Sequence, residues 1–251
     1  MKVIASFTTI PSRICRIGKM VQSIARQSVA PDAIHICIPD ICEKEGVGYS
    51  IPSWLEESVT ITNCRVDYGP ATKLLPVLDL YKDPDTIIIS VDDDVVYHPH
   101  TFEWLTSCAE ANTDACFGLV AAMTDGSFKH GERVSENPLL VKSGVLGGYR
   151  GIAYRRKFFS DGIFKDIEDL CSDGPFVLDD EFFAMQMISS GVQRFVAPVD
   201  GYNGGLLFRF LNLGFGIYDE CEQSNRLVES SRKRLEKMAR SRGIASGTGV
   251  Y

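Results

Sequence analysis

Nothing in the chain approaches the run of about 18 to 20 apolar residues that a membrane span requires, so no transmembrane segment is expected. No basic segment with a long apolar run precedes Val3–Phe7, the first stretch with strand character, and that absence predicts a chain without a secretory leader, located in the cytoplasm. Positive charge is in deficit: the formal net charge is −7, which argues against binding nucleic acid through an overall field. No C-x-x-C pair occurs among the eight cysteines, and their irregular spacing excludes a zinc knuckle. Several lie in apolar runs, such as Cys37 in Ile34-His35-Ile36-Cys37-Ile38, and read as reduced core residues. There is no internal repeat. Histidine stops at His130, and the loop after the first strand, Thr8 to Arg13, holds no glycine.

What is present is a soluble composition, 45% hydrophobic and 24% charged, in 251 residues, enough for a sizeable core and suited to one α/β domain with a tail. Short apolar strands are expected at 3–7, 33–38, 59–66, 86–91, 116–122 and 193–198. Helical spacing covers 14–27, 71–81 with a kink at Pro76, 99–112 and 178–190. Strands alternating with helices predict a mostly parallel, doubly wound sheet flanked by helices. Residues 125–151 are rich in glycine and read as loop. The division expected is a single domain over 1–220 and a basic helix with a flexible tail over 221–251. Seven Lys or Arg against two Glu lie in Arg226–Arg242.

The most apolar of these strands ends directly in Asp92-Asp93-Asp94. In open α/β sheets, ligands bind beyond the carboxyl ends of the strands. Three adjacent carboxylates there repel one another unless a cation offsets them, and hard oxygen ligands select Mg²⁺ or Mn²⁺. In an extended segment Asp92 and Asp94 share one side and Asp93 faces the other. The plainer reading is an acidic surface turn.

The segment Ser90-Val91-Asp92-Asp93-Asp94-Val95 resembles the D-x-D region of GT-A fold glycosyltransferases. Three further segments match that fold in order: Ser6 to Arg13, Tyr68 to Leu74, and Gly147-Gly148-Tyr149-Arg150-Gly151 with Asp179-Asp180-Glu181 downstream. The likeness covers about residues 1–200 and is nearest to small enzymes of bacterial and large-DNA-virus polysaccharide synthesis. It implies the GT-A fold and a nucleotide-sugar donor, with UDP-hexose expected. It further implies a Mn²⁺ or Mg²⁺ cofactor and a glycan or glycolipid acceptor.

Residue by residue, the resemblance implies that Thr8, Pro11 and Arg13 face the nucleotide, with Asp67 and Tyr68 at the nucleoside. Lys73 matches a basic residue near the donor phosphates. Asp94 corresponds to the metal ligand, with Asp92 the donor-facing acid beside the metal and Asp93 a supporting residue. Gly148 belongs to the loop that lets donor and acceptor approach the backbone. Asp180 matches the base of inverting members, with Asp179 and Glu181 as alternatives. One departure concerns the late histidine that many such enzymes add as a metal ligand, which this chain lacks beyond residue 130.

Each match has a bland counterpart. Lys73 has the counterpart of a solvated helix residue, against which its place at a helix N-terminus favours phosphate; Asp179 and Asp180 read also as helix caps, and the glycines as turns. Arginine at a helix start opposes the dipole, so Arg13 favours an anionic partner. Tyr202 to Gly205 are candidates for lining an acceptor site. The alternatives to a glycosyltransferase are a metal-dependent nucleotidyltransferase, which the glycine-free first loop disfavours, and a non-catalytic protein retaining the fold. The basic tail is read either as a peripheral contact for an anionic membrane or as a helix packed on the domain.

Overall fold

A computed structural model describes residues 1–134, 137–199, 208–210 and 222–244. In chain order the strands are β1 (Val3–Thr8), β2 (Ala33–Pro39), β3 (Thr60–Cys64), β4 (Ile87–Ser90), β5 (Val95–Tyr97), β6 (Ala115–Gly118) and β7 (Val120–Met123), then β8 (Phe128–His130), β9 (Leu139–Leu140), β10 (Gly144–Leu146), β11 (Ile152–Arg155), β12 (Gln193–Val196) and β13 (Phe208–Phe210). The helices are α1 (Gly18–Ala25), α2 (Ser53–Glu56), α3 (Leu75–Leu80), α4 (Thr101–Ala111), α5 (Ile163–Cys171), α6 (Asp179–Ser189) and α7 (Glu222–Ser241).

Eight strands form the main sheet in the order β3-β2-β1-β4-β11-β6-β12-β9. Six run in one direction, and β11 and β9 run against them. The mostly parallel expectation therefore holds with two reversals. Successive strands β1, β2 and β3 step outward on one side, and β4 returns on the other side of β1. The gap between the carboxyl ends of β1 and β4 is the point where strand order reverses, a crevice that parallel sheets leave open for ligands. Helices cover both faces of the sheet. One core layer gathers Phe7, Ile17, Ile24 and Phe102, and the other gathers Leu78, Tyr154, Phe182 and Phe183.

Several elements differ from the sequence pattern. The helix expected at 14–27 divides at Ile17, whose φ of −80° and ψ of 1° leave the helical region, into a 3-10 turn Ile14–Arg16 and α1. Pro76 does not kink a helix. It occupies the first turn of α3, where its missing N–H costs nothing, after a separate 3-10 turn Gly69–Lys73. The strand expected at 116–122 breaks at Leu119, so that β6 joins the main sheet and β7 a three-stranded sheet with β10 and β8. The loop-rich stretch 125–151 thus contains β8, β9 and β10. The helix α5, with Ile163, Ile167 and Leu170 buried, fills a segment that carried no assignment.

The basic helix α7 is packed on the domain. Leu235 and Ala239 are fully buried in the same core cluster as Phe176 and Phe182. Arg234 of α7 donates to the carbonyls of Leu170, Gly174 and Pro175, and Arg242, just beyond the helix, pairs with Asp166. Of the expected loose end at 243–251, residues 245–251 lie outside the described residues, as do the acceptor candidates Tyr202 to Gly205. Among the described residues no helix is long and apolar enough to cross a membrane.

Candidate active site

Register brings the candidate residues to one edge of the sheet. Ser6 on β1 pairs with Ser90 on β4, so the loops after Thr8 and after Ser90 leave side by side. The antiparallel β11 begins at the same edge, with Ile152 opposite Ser90, and therefore delivers the preceding loop Gly147–Gly151 there. The start of α6 closes the group, held beside the Gly148 loop by a hydrogen bond from the Gly148 N–H to Asp180.

The acidic triplet does not continue β4 as an extended segment. Asp93 and Asp94 form a turn before β5, so strict side-to-side alternation does not apply, and each carboxylate has its own environment. Asp92 accepts from the Lys73 ammonium at 2.8 Å, while its N–H donates to the Tyr97 hydroxyl at 2.8 Å. That hydroxyl donates in turn to the Tyr149 carbonyl. Asp93 is buried and accepts from Thr9 Oγ1 at 2.6 Å and from Arg13 Nη1 at 3.0 Å. Arg13 Nη1 also stands 3.7 Å from Asp94. Asp94, 22% exposed, has its carboxyl pushed up to about 6, first by burial and then by the charges of Asp93 and Asp92.

Lys73 ends the 3-10 turn Gly69–Lys73. Its ammonium is buried and lies 2.8 Å from both Asp92 Oδ1 and Asp179 Oδ2. Both of these short contacts are carboxylates. Asp180 accepts the Gly148 N–H on Oδ2 at 2.9 Å, and its buried Oδ1 has no hydrogen-bond partner among the described residues. Burial, then the charge of Asp179, raises the Asp180 carboxyl well above its usual range, and the Lys73 charge opposes that rise. Glu181 is raised too, chiefly by burial.

The remaining expected residues frame this core. Thr8 donates to the Cys37 carbonyl and Pro11 lies half-buried between Thr9 and Arg13. Asp67 organises its own loop: it accepts the N–H groups of Gly69 and Glu43, and Thr72 bridges to the Tyr68 N–H. Asp67 and Tyr68 thus shape the strand-to-turn connection that leads into Lys73. Gly148 has no room for a side chain, since a Cβ there would lie 2.8 Å from Asp180 Oδ1 and 2.9 Å from Lys73 Nζ. Arg150 anchors the loop by pairing with both oxygens of Glu132.

Sequence reasoning did not single out Thr9, Tyr97 or Glu132. Thr9 lies inside one recognisable segment and Tyr97 just after another, yet no spacing rule marks a hydroxyl that will meet a carboxylate 84 residues away, as Thr9 meets Asp93.

The residues fit a divalent cation in one respect. Five carboxylates, Asp92, Asp93, Asp94, Asp179 and Asp180, face two cations, Arg13 and Lys73. Of the triplet, Asp94 has the weakest engagement with a protein cation. Mg²⁺ and Mn²⁺ are commonly held by one or two carboxylates together with phosphate oxygens and water. Among the described residues no group of three His, Cys, Asp or Glu is arranged to hold a metal by itself. His35 lies between Thr62 and Tyr81, and His98 stacks on Trp104, both with partners remote from the triplet.

No protein-family model matches the chain, and no curated protein sequence matches it. Solved structures do. S. aureus TarS superposes with a TM-score of 0.52 at 13% identity, over 80% of this chain and 36% of TarS. Its 1-349 portion gives 0.52 at 12% identity, over 97% of this chain and 74% of that one. The mannosyltransferase PcManGT from Pyrobaculum calidifontis, solved with GDP-Man and Mn²⁺, gives 0.50 at 15% identity, over 78% of this chain and 55% of its own. The chain thus spans about a third of TarS and about half of the mannosyltransferase. At this identity the likeness shows the fold: it is the GT-A fold of nucleotide-sugar glycosyltransferases.

Proposed function

We propose that this chain is a metal-dependent glycosyltransferase that moves a sugar from a nucleoside diphosphate to an acceptor hydroxyl with inversion. The expected donor is a UDP-hexose and the expected acceptor a glycan or glycolipid. The observation that carries the reading is the Asp180 carboxylate. One oxygen is fixed by the Gly148 N–H, and the other is buried without a partner among the described residues. A carboxylate with a raised pKa and an unengaged oxygen is suited to take a proton. The fold, and the lodging of this group at the switch point between β1 and β4, support the same reading.

In the reaction, the proton of the acceptor hydroxyl passes to Asp180 Oδ1 while the hydroxyl oxygen bonds to the anomeric carbon. The bond from that carbon to the diphosphate oxygen breaks, and its electron pair leaves with the diphosphate. Attack on the face opposite the leaving group inverts the configuration. Asp94, with Asp92 beside it, would hold the divalent cation together with the diphosphate oxygens. That ion, when bound, neutralises negative charge on the departing group. Arg13, 3.7 Å from Asp94, supplies a further positive charge at the same end, and Asp93 holds it there through its 3.0 Å contact. Thr8, Pro11, Asp67 and Tyr68 line the nucleoside side.

Melting the protein against a panel of UDP- and GDP-linked sugars, with and without Mn²⁺, tests the reading. A donor at about a hundred times its Kd adds about 2.7 kcal/mol of stability. A clear metal-dependent rise in Tm with one nucleotide sugar is expected. No rise with any of them contradicts the proposal and favours a non-catalytic protein that retains the fold.

A further inference from the structure

We infer that Lys73 is a positioning residue of the transfer step, a cation that clamps donor-side Asp92 to Asp179 beside the base, and is not a ligand of the donor diphosphate. The inference rests on the transferase reading above.

The geometry leaves the ammonium little else to do. A lysine carries three N–H donors. One donates to Asp92, just beyond β4, at 2.8 Å, and the ammonium also forms an ion pair with Asp179 at the start of α6, likewise at 2.8 Å. Gly148 is also near, since a Cβ built on that residue would sit 2.9 Å from Nζ. The side chain is only 6% exposed. A phosphate oxygen that took the place of either acid would leave a buried carboxylate uncompensated, which is strongly unfavourable.

The backbone at Lys73 is equally fixed. Its carbonyl accepts the Ser6 hydroxyl, tying the 3-10 turn to β1. Ala71, Thr72, Leu74 and Leu75 around it are all fully buried. Upstream, Asp67 accepts the Gly69 N–H, and Thr72 bridges to the Tyr68 N–H. The side chain therefore projects from an immobile base into the junction of three separate segments: the triplet, the Gly148 loop and the first turn of α6.

A single buried cation at that junction sets how far the donor-side acid stands from the base. Asp179 is adjacent to Asp180 in the first turn of α6, so pulling Asp179 toward Lys73 fixes the turn that presents Asp180. Gly148 contacts both sides of the arrangement, which makes its missing side chain a requirement of the same clamp.

The test uses the full chain carrying Lys73→Met, and the double variant Lys73→Met with Asp179→Asn. The double variant removes the cation together with one acid it compensates, and decides the matter if the single variant does not fold. Thermal melts verify folding. The affinity for UDP or GDP with Mn²⁺ is measured by calorimetry, and kcat for transfer by steady-state kinetics. The inference predicts that kcat falls about a hundredfold in the folded variants, the scale of a misplaced reacting group, while nucleoside diphosphate Kd stays within about threefold. A Kd weakened by about tenfold or more identifies a diphosphate ligand and overturns the inference. An unchanged kcat also overturns it. Wild-type protein that transfers no sugar removes the transferase reading, and this inference with it. Transfer by the wild type with lost nucleotide affinity in the variants removes the inference alone.

Discussion

The backbone N–H of Gly148 donates to Asp180 Oδ2 at 2.9 Å, so a loop with no space for a side chain orients the carboxylate that opens α6. A methyl group at residue 148 would press on Asp180 Oδ1 at 2.8 Å and on Lys73 Nζ at 2.9 Å. Gly148→Ala is expected to lower kcat about a hundredfold, because small displacements of reacting groups cost on that scale. Nucleotide affinity should hold. Steady-state kinetics with calorimetry decide it, and a kcat within about threefold of wild type contradicts the geometry.

Asp94 gives a prediction in pH. Its carboxyl, raised to about 6, binds a proton more tightly in the folded protein than in the unfolded chain. Its charge therefore costs stability progressively as pH rises from about 4, where the unfolded carboxyl ionises, to about 6, above which the cost is constant. Without ligand, Asp94→Asn should raise Tm at about pH 7.5, and the difference should be roughly halved by about pH 5 and close only near about pH 4, where the carboxyl is protonated in the unfolded chain as well. With Mn²⁺ and nucleotide sugar present, the wild type should gain the advantage, since the variant lacks an ionised ligand. A ligand-free variant that melts below wild type at the higher pH contradicts the account.

Much of this arrangement is legible in the sequence for physical reasons. A strand as apolar as Ile87–Ile89 must be buried, and three acids at its end must lie at a sheet edge. Asp179, Asp180 and Glu181 mark a helix opening because carboxylates suit the positive end of the helix dipole. The partnership of Lys73 with Asp179 has no such mark, because it depends on strand order and crosses over a hundred residues of chain. The reversal of β11 is equally hidden, since a strand buried on both faces reads the same in either direction. The break at Leu119 is lost for a related reason: both β6 and β7 are apolar, so no change of period separates them. The stripe Ile163, Ile167 and Leu170 was readable as helix α5, and only its position between two loops concealed it.

Gly69 ties the turn that carries Lys73 to the segment before α6. It adopts φ of +59°, and a Cβ there would lie 2.2 Å from the Phe176 carbonyl oxygen. Gly69→Ala should therefore cost about 2 to 4 kcal/mol, combining left-handed backbone strain with displacement of a carbonyl. Urea denaturation gives the value, and a loss below about 0.5 kcal/mol contradicts the packing.

Leu235 tests whether α7 belongs to the domain. Its side chain is fully buried in the cluster that contains Phe176 and Phe182. Leu235→Ala should destabilise the whole protein in one transition by about 2 to 5 kcal/mol. A change confined to a separate, low-stability transition would mark α7 as an independent tail.

The most direct test of the proposed chemistry is Asp180→Asn, which keeps the shape of the side chain and removes its basicity. Transfer and donor binding are measured on the same preparation, using the nucleotide sugar that stabilises the wild type. The account predicts that kcat falls about a thousandfold, within the range of a lost general base, while donor Kd stays within about threefold. Turnover retained near the wild-type rate would contradict it.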